Sequence, residues 1–239
     1  MTDKTEGENR MDKAAKRLAI IYVVLLSLSA PLMAAHLVFF IWIIGTHDMS
    51  GWMGIIMLLL PILIYGGVLV VLGIWNMVKS FQIYKKQDIL GCINGMLLHK
   101  YGLVFFFCVN FVVLFIVYFI LTFGVLVGTR GLALFAAPVW IPFVMAMLGW
   151  SIISSWLAIL PGSAYSIQVL RGSVRTGKIS GGAAVIHGIL QFLFLADVLD
   201  AMYLAAGKWG RGKKSSVLVA LVYVAAVAGI VWIVYKIRS

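Results

Sequence analysis

The feature that most constrains this chain is the way its charge is distributed. None of its 19 Lys and Arg residues falls inside its long apolar runs, and each run is long enough to cross a bilayer. A spanning backbone must satisfy its own hydrogen bonds, which leaves helices or a closed barrel. The runs are continuous and lack two-residue alternation, so the pattern predicts an all-α, polytopic transmembrane helix bundle. Composition agrees: 63% of the residues are hydrophobic and 11% are charged. An ordinary soluble domain carries about 25% charged residues. The net charge of +11 suggests nucleic acid at first sight. The bases lie in short loops beside the runs, however, where they fit topology and contact with anionic headgroups. Nucleic acid is therefore not an expected partner.

The runs predict six spans, at about 18–45, 52–78, 101–127, 132–160, 181–207 and 217–235, within a single membrane domain over 18–239. Met1–Arg17 reads as a disordered cytoplasmic leader. Pro31 and Pro61 lie inside the first two spans and predict kinks. The fourth span is expected to stop at Pro161-Gly162. Between Lys79 and Lys100 the residues Ile89, Ile93, Met96, Leu97 and Lys100 recur at helical spacing. They predict a short amphipathic helix lying on the headgroups, with Cys92 in a cytoplasmic loop.

Lys4, Arg10, Lys13, Lys16 and Arg17 precede the first span, and Lys79, Lys85, Lys86, Lys100, Arg171, Arg175 and Lys178 fall on the same side. Only Arg130 falls opposite, which predicts a cytoplasmic N-terminus in a cell membrane. The segment 181–207 breaks this agreement. If it spans, Lys208, Arg211, Lys213 and Lys214 face outward; if it re-enters or lies flat, they stay inside. Charge favours five spans with a re-entrant or interfacial helix, whereas length and hydrophobicity favour six, and six is the expectation.

Ionisable groups inside apolar runs are the candidate functional residues, because lipid penalises them. They are His36 in the first span and His187, Gln191, Asp197 and Asp200 in the fifth. On one continuous helix Asp200 would lie about 180° around from Gln191, so the four would not form a single stripe. Both acids would then sit at an interfacial helix end, balancing Lys208 and Arg211. No His, Cys or carboxylate stands at metal-ligand spacing beside His187, and no P-loop, HExxH or GxSxG occurs. Neither cofactor nor metal is expected, and no catalytic residue is assigned.

Two stretches carry a resemblance. Lys100-Tyr-Gly-Leu-Val-Phe-Phe-Phe-Cys-Val-Asn-Phe111 opens the third span, and His187-Gly-Ile-Leu-Gln-Phe-Leu-Phe-Leu-Ala-Asp-Val198 fills the fifth. Together with Ser163-Ala-Tyr-Ser-Ile-Gln they resemble an uncharacterised family of small integral membrane proteins from Gram-positive, clostridia-like bacteria. That resemblance implies a polytopic helical fold without an established activity, and it matches at His187, Gln191 and Asp197. The leading expectation is a small permease or the membrane subunit of a transport assembly. The alternative is a non-catalytic scaffold, sensor accessory or immunity-type protein, and an intramembrane or lipid-modifying enzyme comes third. Expected partners are anionic lipid headgroups at the basic loops, and a second copy or another membrane subunit.

Overall fold

The computed structural model describes residues 13–47, 51–119, 123–131, 135, 137–193 and 196–238. Most of the expected leader, the start of the fourth span and the middle of the fifth lie outside them. Among the described residues all regular structure is helical: α1 (Lys13–Thr46), α2 (Gly51–Lys85), α3 (Ile89–Phe119), the single turn α4 (Val125–Gly128), α5 (Ala137–Arg175), α6 (Gly181–Leu190), α7 (Ala196–Met202) and α8 (Lys213–Arg238). A π-helical turn, Tyr203–Lys208, follows α7 directly. Four of the described helices are long and apolar enough to cross a membrane: α1, α2, and the parts of α3 and α5 over Ile89–Asn110 and Ile152–Arg175. They mark the chain as a helical membrane protein.

Both expected prolines are inside their helices, Pro31 in α1 and Pro61 in α2. Proline lacks the N–H its turn needs and frees a carbonyl in the preceding one. Side chains of the facing helix donate to carbonyls close to these breaks. His36 Nε2 donates to Leu58 O at 3.2 Å, and the Tyr65 hydroxyl donates to Leu25 O. These bonds fasten α1 to α2 beside the very positions where proline weakens each helix.

Helix α3 begins twelve residues earlier than the third apolar run. Asp88 caps it, accepting from the Gly91 N–H at 2.7 Å, and Gln87 turns the chain with φ of 61°. The expected headgroup helix is therefore the first part of α3. Its helical spacing was read correctly, but its apolar face has a protein partner rather than lipid. Cys92, Ile93, Met96 and Leu97 are buried in one core with Tyr165, Val169 and Leu170 of α5 and with Ala201, Leu204 and Ala205. The contact is close: a Cβ on Gly95 would strike the Tyr165 ring. A second core joins Tyr22 and Leu26 of α1, Leu103 and Phe106 of α3, and Ala158 and Ile159 of α5. Helix α5 also differs from expectation, since it runs through Pro161-Gly162 to Arg175.

The largest correction concerns 181–207. This segment is no single helix but a hairpin whose ends meet. Lys178 Nζ, just before it, donates to Lys208 O at 3.0 Å and lies 4.5 Å over the Trp209 ring. Trp209 Nε1 in turn donates to Ser173 Oγ of α5 at 2.8 Å. Helix α6 leaves this base capped by Ser180, which accepts from the Ala183 N–H, and ends ten residues later. At about 1.5 Å per residue it covers about 15 Å, half of a hydrocarbon core about 30 Å thick. The chain then returns through α7 and the π-helical turn, so it enters and leaves at the same level. Six spans are not confirmed: four described helices are long and apolar enough to cross, and 181–207 does not supply another.

Candidate functional site

Helix α6 ends at Leu190 with no proline at the break, and its end explains the site. The last carbonyls of a helix have no partner in the helix and carry the negative end of its dipole. Here the carbonyl of the C-cap residue, Gln191, points at the side chain of Lys100. That side chain is fully buried, with 0% exposure, and its ammonium donates to three acceptors. They are Gln191 O at 3.0 Å, Ser163 Oγ at 3.1 Å and Asp197 Oδ2 at 2.9 Å. Ser163 also donates to Gln191 O at 2.8 Å, and Trp156 Nε1 donates to Phe192 O at 3.3 Å. The Gln191 and Phe192 carbonyls just past the helix end are thus taken by side chains of α3 and α5, while those of Ile189 and Leu190 accept from the backbone of the next turn.

Asp197, 1% exposed, lies in the first turn of α7, where a negative charge suits the helix dipole. One turn later Asp200, on the returning arm, accepts from two side chains of the first arm: His187 Nδ1 on one oxygen and Gln191 Nε2 on the other. An aspartate accepting at Nδ1 orients the imidazole and leaves Nε2 on the far side. Tyr203 stacks on that ring with centroids 5.4 Å apart. His187 is the open end of the network, with its side chain 17% exposed. Tyr22 and Tyr165 flank His99 on the other side of the lysine, with ring centroids 6.0 and 5.1 Å away. Gly162 lets the groups approach, since a Cβ there would lie 3.1 Å from His99 Cβ and 3.4 Å from Lys100 Cε.

The structure therefore brings His187, Gln191, Asp197 and Asp200 together in one cluster. On a straight helix they would have diverged; the break returns Asp200 to the face of His187 and Gln191. The acids do not sit at an exposed helix end balancing Lys208 and Arg211. Asp197 pairs with Lys100, and Asp200 binds His187 and Gln191. His36 is elsewhere, about 32 Å along α1 from Ala15, which packs in the hairpin's core. Asn110 is buried in α3 but ten residues, or about 15 Å, beyond Lys100.

Lys100 and Ser163 were missed as site residues, Lys100 having been assigned to the exposed bases of a loop. One signal could have found the lysine. Asp88, with a helical pattern running unbroken from Ile89, places Lys100 inside a helix and on its apolar face. Chemically the cluster is a satisfied ion pair linked to a His–Asp pair. Among the described residues no group of three His, Cys, Asp or Glu could hold a metal ion.

The fold and cluster define a class: a helical membrane protein whose bundle clasps a helical hairpin through a buried ion pair. The chain belongs to the family of unknown function DUF6652, which matches residues 14–211. That match contains α1 to α7 and every residue of the cluster and ends before α8. No curated protein and no solved structure matches the chain.

Proposed function

We propose that this protein is a multi-pass component of the cell membrane, with its N-terminus cytoplasmic, that acts as a non-catalytic scaffold or accessory subunit. The permease expected from the sequence is the weaker reading. One observation carries the preference: all three protons of the Lys100 ammonium meet acceptors of the same chain. Both oxygens of Asp200 are likewise engaged by His187 and Gln191. A conduit or carrier needs polar groups that exchange their partners for a substrate. Here, with Gln191 Oε1 alone of the Lys100–Asp200 network left without a partner, they bind each other and hold the hairpin to α3 and α5, as packing polar groups in membranes do.

A five-crossing arrangement with the hairpin on the cytoplasmic side is part of this reading. The hairpin base joins Lys178 to Lys208, so the Lys208–Lys214 loop sits beside the Arg171–Lys178 loop. The basic residues then gather on one side, as cytoplasmic loops require.

Transport keeps one specific observation in its favour, the partly exposed His187 at the end of a chain of polar groups. Purified protein in sealed vesicles separates the two. With an internal pH dye and an imposed cation or proton gradient, the scaffold reading expects flux equal to protein-free vesicles. Flux above that level which disappears in Asp197→Asn overturns it.

A further inference from the structure

The hairpin presents an outer face that the bundle leaves uncovered, and its position across the bilayer says what covers it. Gly162 touches Lys100, and a Cβ on Gly73 of α2 would lie 3.5 Å from the neighbouring Pro161. The ion pair is thus level with the lipid-facing part of α2, about six residues or 9 Å short of Lys79, the first base after the apolar stretch. The hairpin base lies beyond that level, where Arg175 donates to Gln87 at 2.6 Å. Tip inside the apolar zone and base outside it, the hairpin stands across the headgroup layer.

Its exposed face has the matching chemistry. Val185, Ile186, Ile189 and Leu193 are 50–65% exposed along α6 and its end, with Leu199 and Tyr203 exposed on the returning arm. Both acids of the segment are turned inward, Asp197 onto Lys100 and Asp200 onto His187 and Gln191. What remains outward at the base is basic: Lys178, Arg211, Lys213 and Lys214 are exposed, and Lys208 is half-buried over Tyr203. An apolar row below a basic collar is the pattern of a helix seated at an anionic lipid surface.

We infer that the outer face of the 181–208 hairpin is an anionic-lipid binding surface, its apolar row immersed at the headgroup–acyl boundary and its basic collar gathering acidic headgroups. This holds whether the protein is a scaffold or a transporter, so the flux experiment above neither supports nor weakens it.

The test uses the full chain in lipid nanodiscs, with Cys92→Ala and Cys108→Ser, and a fluorophore on Ile186→Cys. A second label on Leu60→Cys, on the exposed face of α2, confirms reconstitution. A shallow acyl spin label is carried either on phosphatidylglycerol or on phosphatidylcholine at equal mole fraction. The expected result is quenching of the Ile186 probe by lipid and not by aqueous iodide. Phosphatidylglycerol should be the stronger quencher by about twofold at low salt, with the difference lost at high salt or in Lys208→Gln/Lys213→Gln/Lys214→Gln. Quenching by iodide and by neither lipid shows a face turned to water or a protein partner and overturns the inference. Equal quenching by the two lipids at low salt overturns the anionic selectivity.

Discussion

Removing one partner of the Lys100–Asp197 pair should damage the protein more than removing both. The two groups are 2.9 Å apart and 0% and 1% exposed. With an effective dielectric of about 20 their attraction at that distance is about 6 kcal/mol, set against the cost of desolvating two charges. Asp197→Leu leaves a buried ammonium with only Ser163 Oγ and Gln191 O. Lys100→Met leaves a buried carboxylate and strips the end of α6 of its main cap. Each single change should cost about 3–5 kcal/mol, the range for stranding one buried charge. In the double variant the charge is gone from both sides and apolar volume fills the space. It should lie within about 1–2 kcal/mol of the parent, because apolar replacement of a buried pair is often neutral. The coupling energy then reaches at least about 4 kcal/mol, above the usual range for residues in contact. Thermal unfolding in mild detergent, followed by tryptophan fluorescence, reads the cycle. Labelling of Leu204→Cys, buried on the inner face of the hairpin's returning arm, reports whether the loss is undocking. Single variants should label faster and the double variant at the parental rate. A double variant that costs the sum of the singles refutes the reasoning, since the charges would then act independently.

Ser163→Ala removes one acceptor from Lys100 and one donor from Gln191 O and should cost about 1.5–3 kcal/mol in the same unfolding assay. Gly95→Ala places a Cβ against the Tyr165 ring and should cost about 1–3 kcal/mol as overpacking. Gly66→Ala meets nothing within 4 Å and should stabilise by about 0.5–1 kcal/mol, so the contrast isolates the close approach. Thr176→Cys and Arg211→Cys, in a background of Cys92→Ala and Cys108→Ser, should be labelled by a membrane-impermeant thiol reagent from one and the same side. Labelling from opposite sides would show that 181–207 crosses after all.

Much of the bundle was legible from apolar length alone, because lipid imposes the same requirement on every spanning residue. The expected extents for α1 and α2 and the two proline positions came from that rule and from missing N–H groups. The rule failed at residues whose partners are proteinaceous and distant. Pro161 was taken as a stop, yet a helix packed on two neighbours carries a proline through. Lys100 was grouped with bases at the water because a lysine between apolar runs usually marks a loop. Its acceptors lie 63 to 97 residues away in the chain, and no local pattern announces them. His187, Gln191, Asp197 and Asp200 were legible as a set, since lipid penalises each of them alike. Their geometry was not, because it depends on a helix break that no proline marks.

That break can be understood as the lysine's doing. As one spanning helix, 181–207 would face Asp197 and Asp200 outward near an interface and leave the Lys100 ammonium without its Asp197 partner and the Gln191 carbonyl. Ending α6 at Leu190 exposes carbonyls, a cost that apolar surroundings make severe. The same step provides Lys100 with a negative helix end and, six residues later, a carboxylate in the first turn of the returning helix. The Phe192 and Leu193 N–H groups take up the Ile189 and Leu190 carbonyls, and Ser163 and Trp156 donate to those of Gln191 and Phe192. A hairpin held this way is specific to one register, because sliding α6 by a residue would carry Gln191 O away from Lys100. Lys100→Met alone should therefore do more than weaken the fold. It should let the apolar 181–207 run straighten into a spanning helix, which a thiol at Arg211→Cys would report by changing sides. If Arg211→Cys keeps its side in that variant, the core under Leu204 and Ala205 suffices to hold the hairpin, and the lysine fixes its register only.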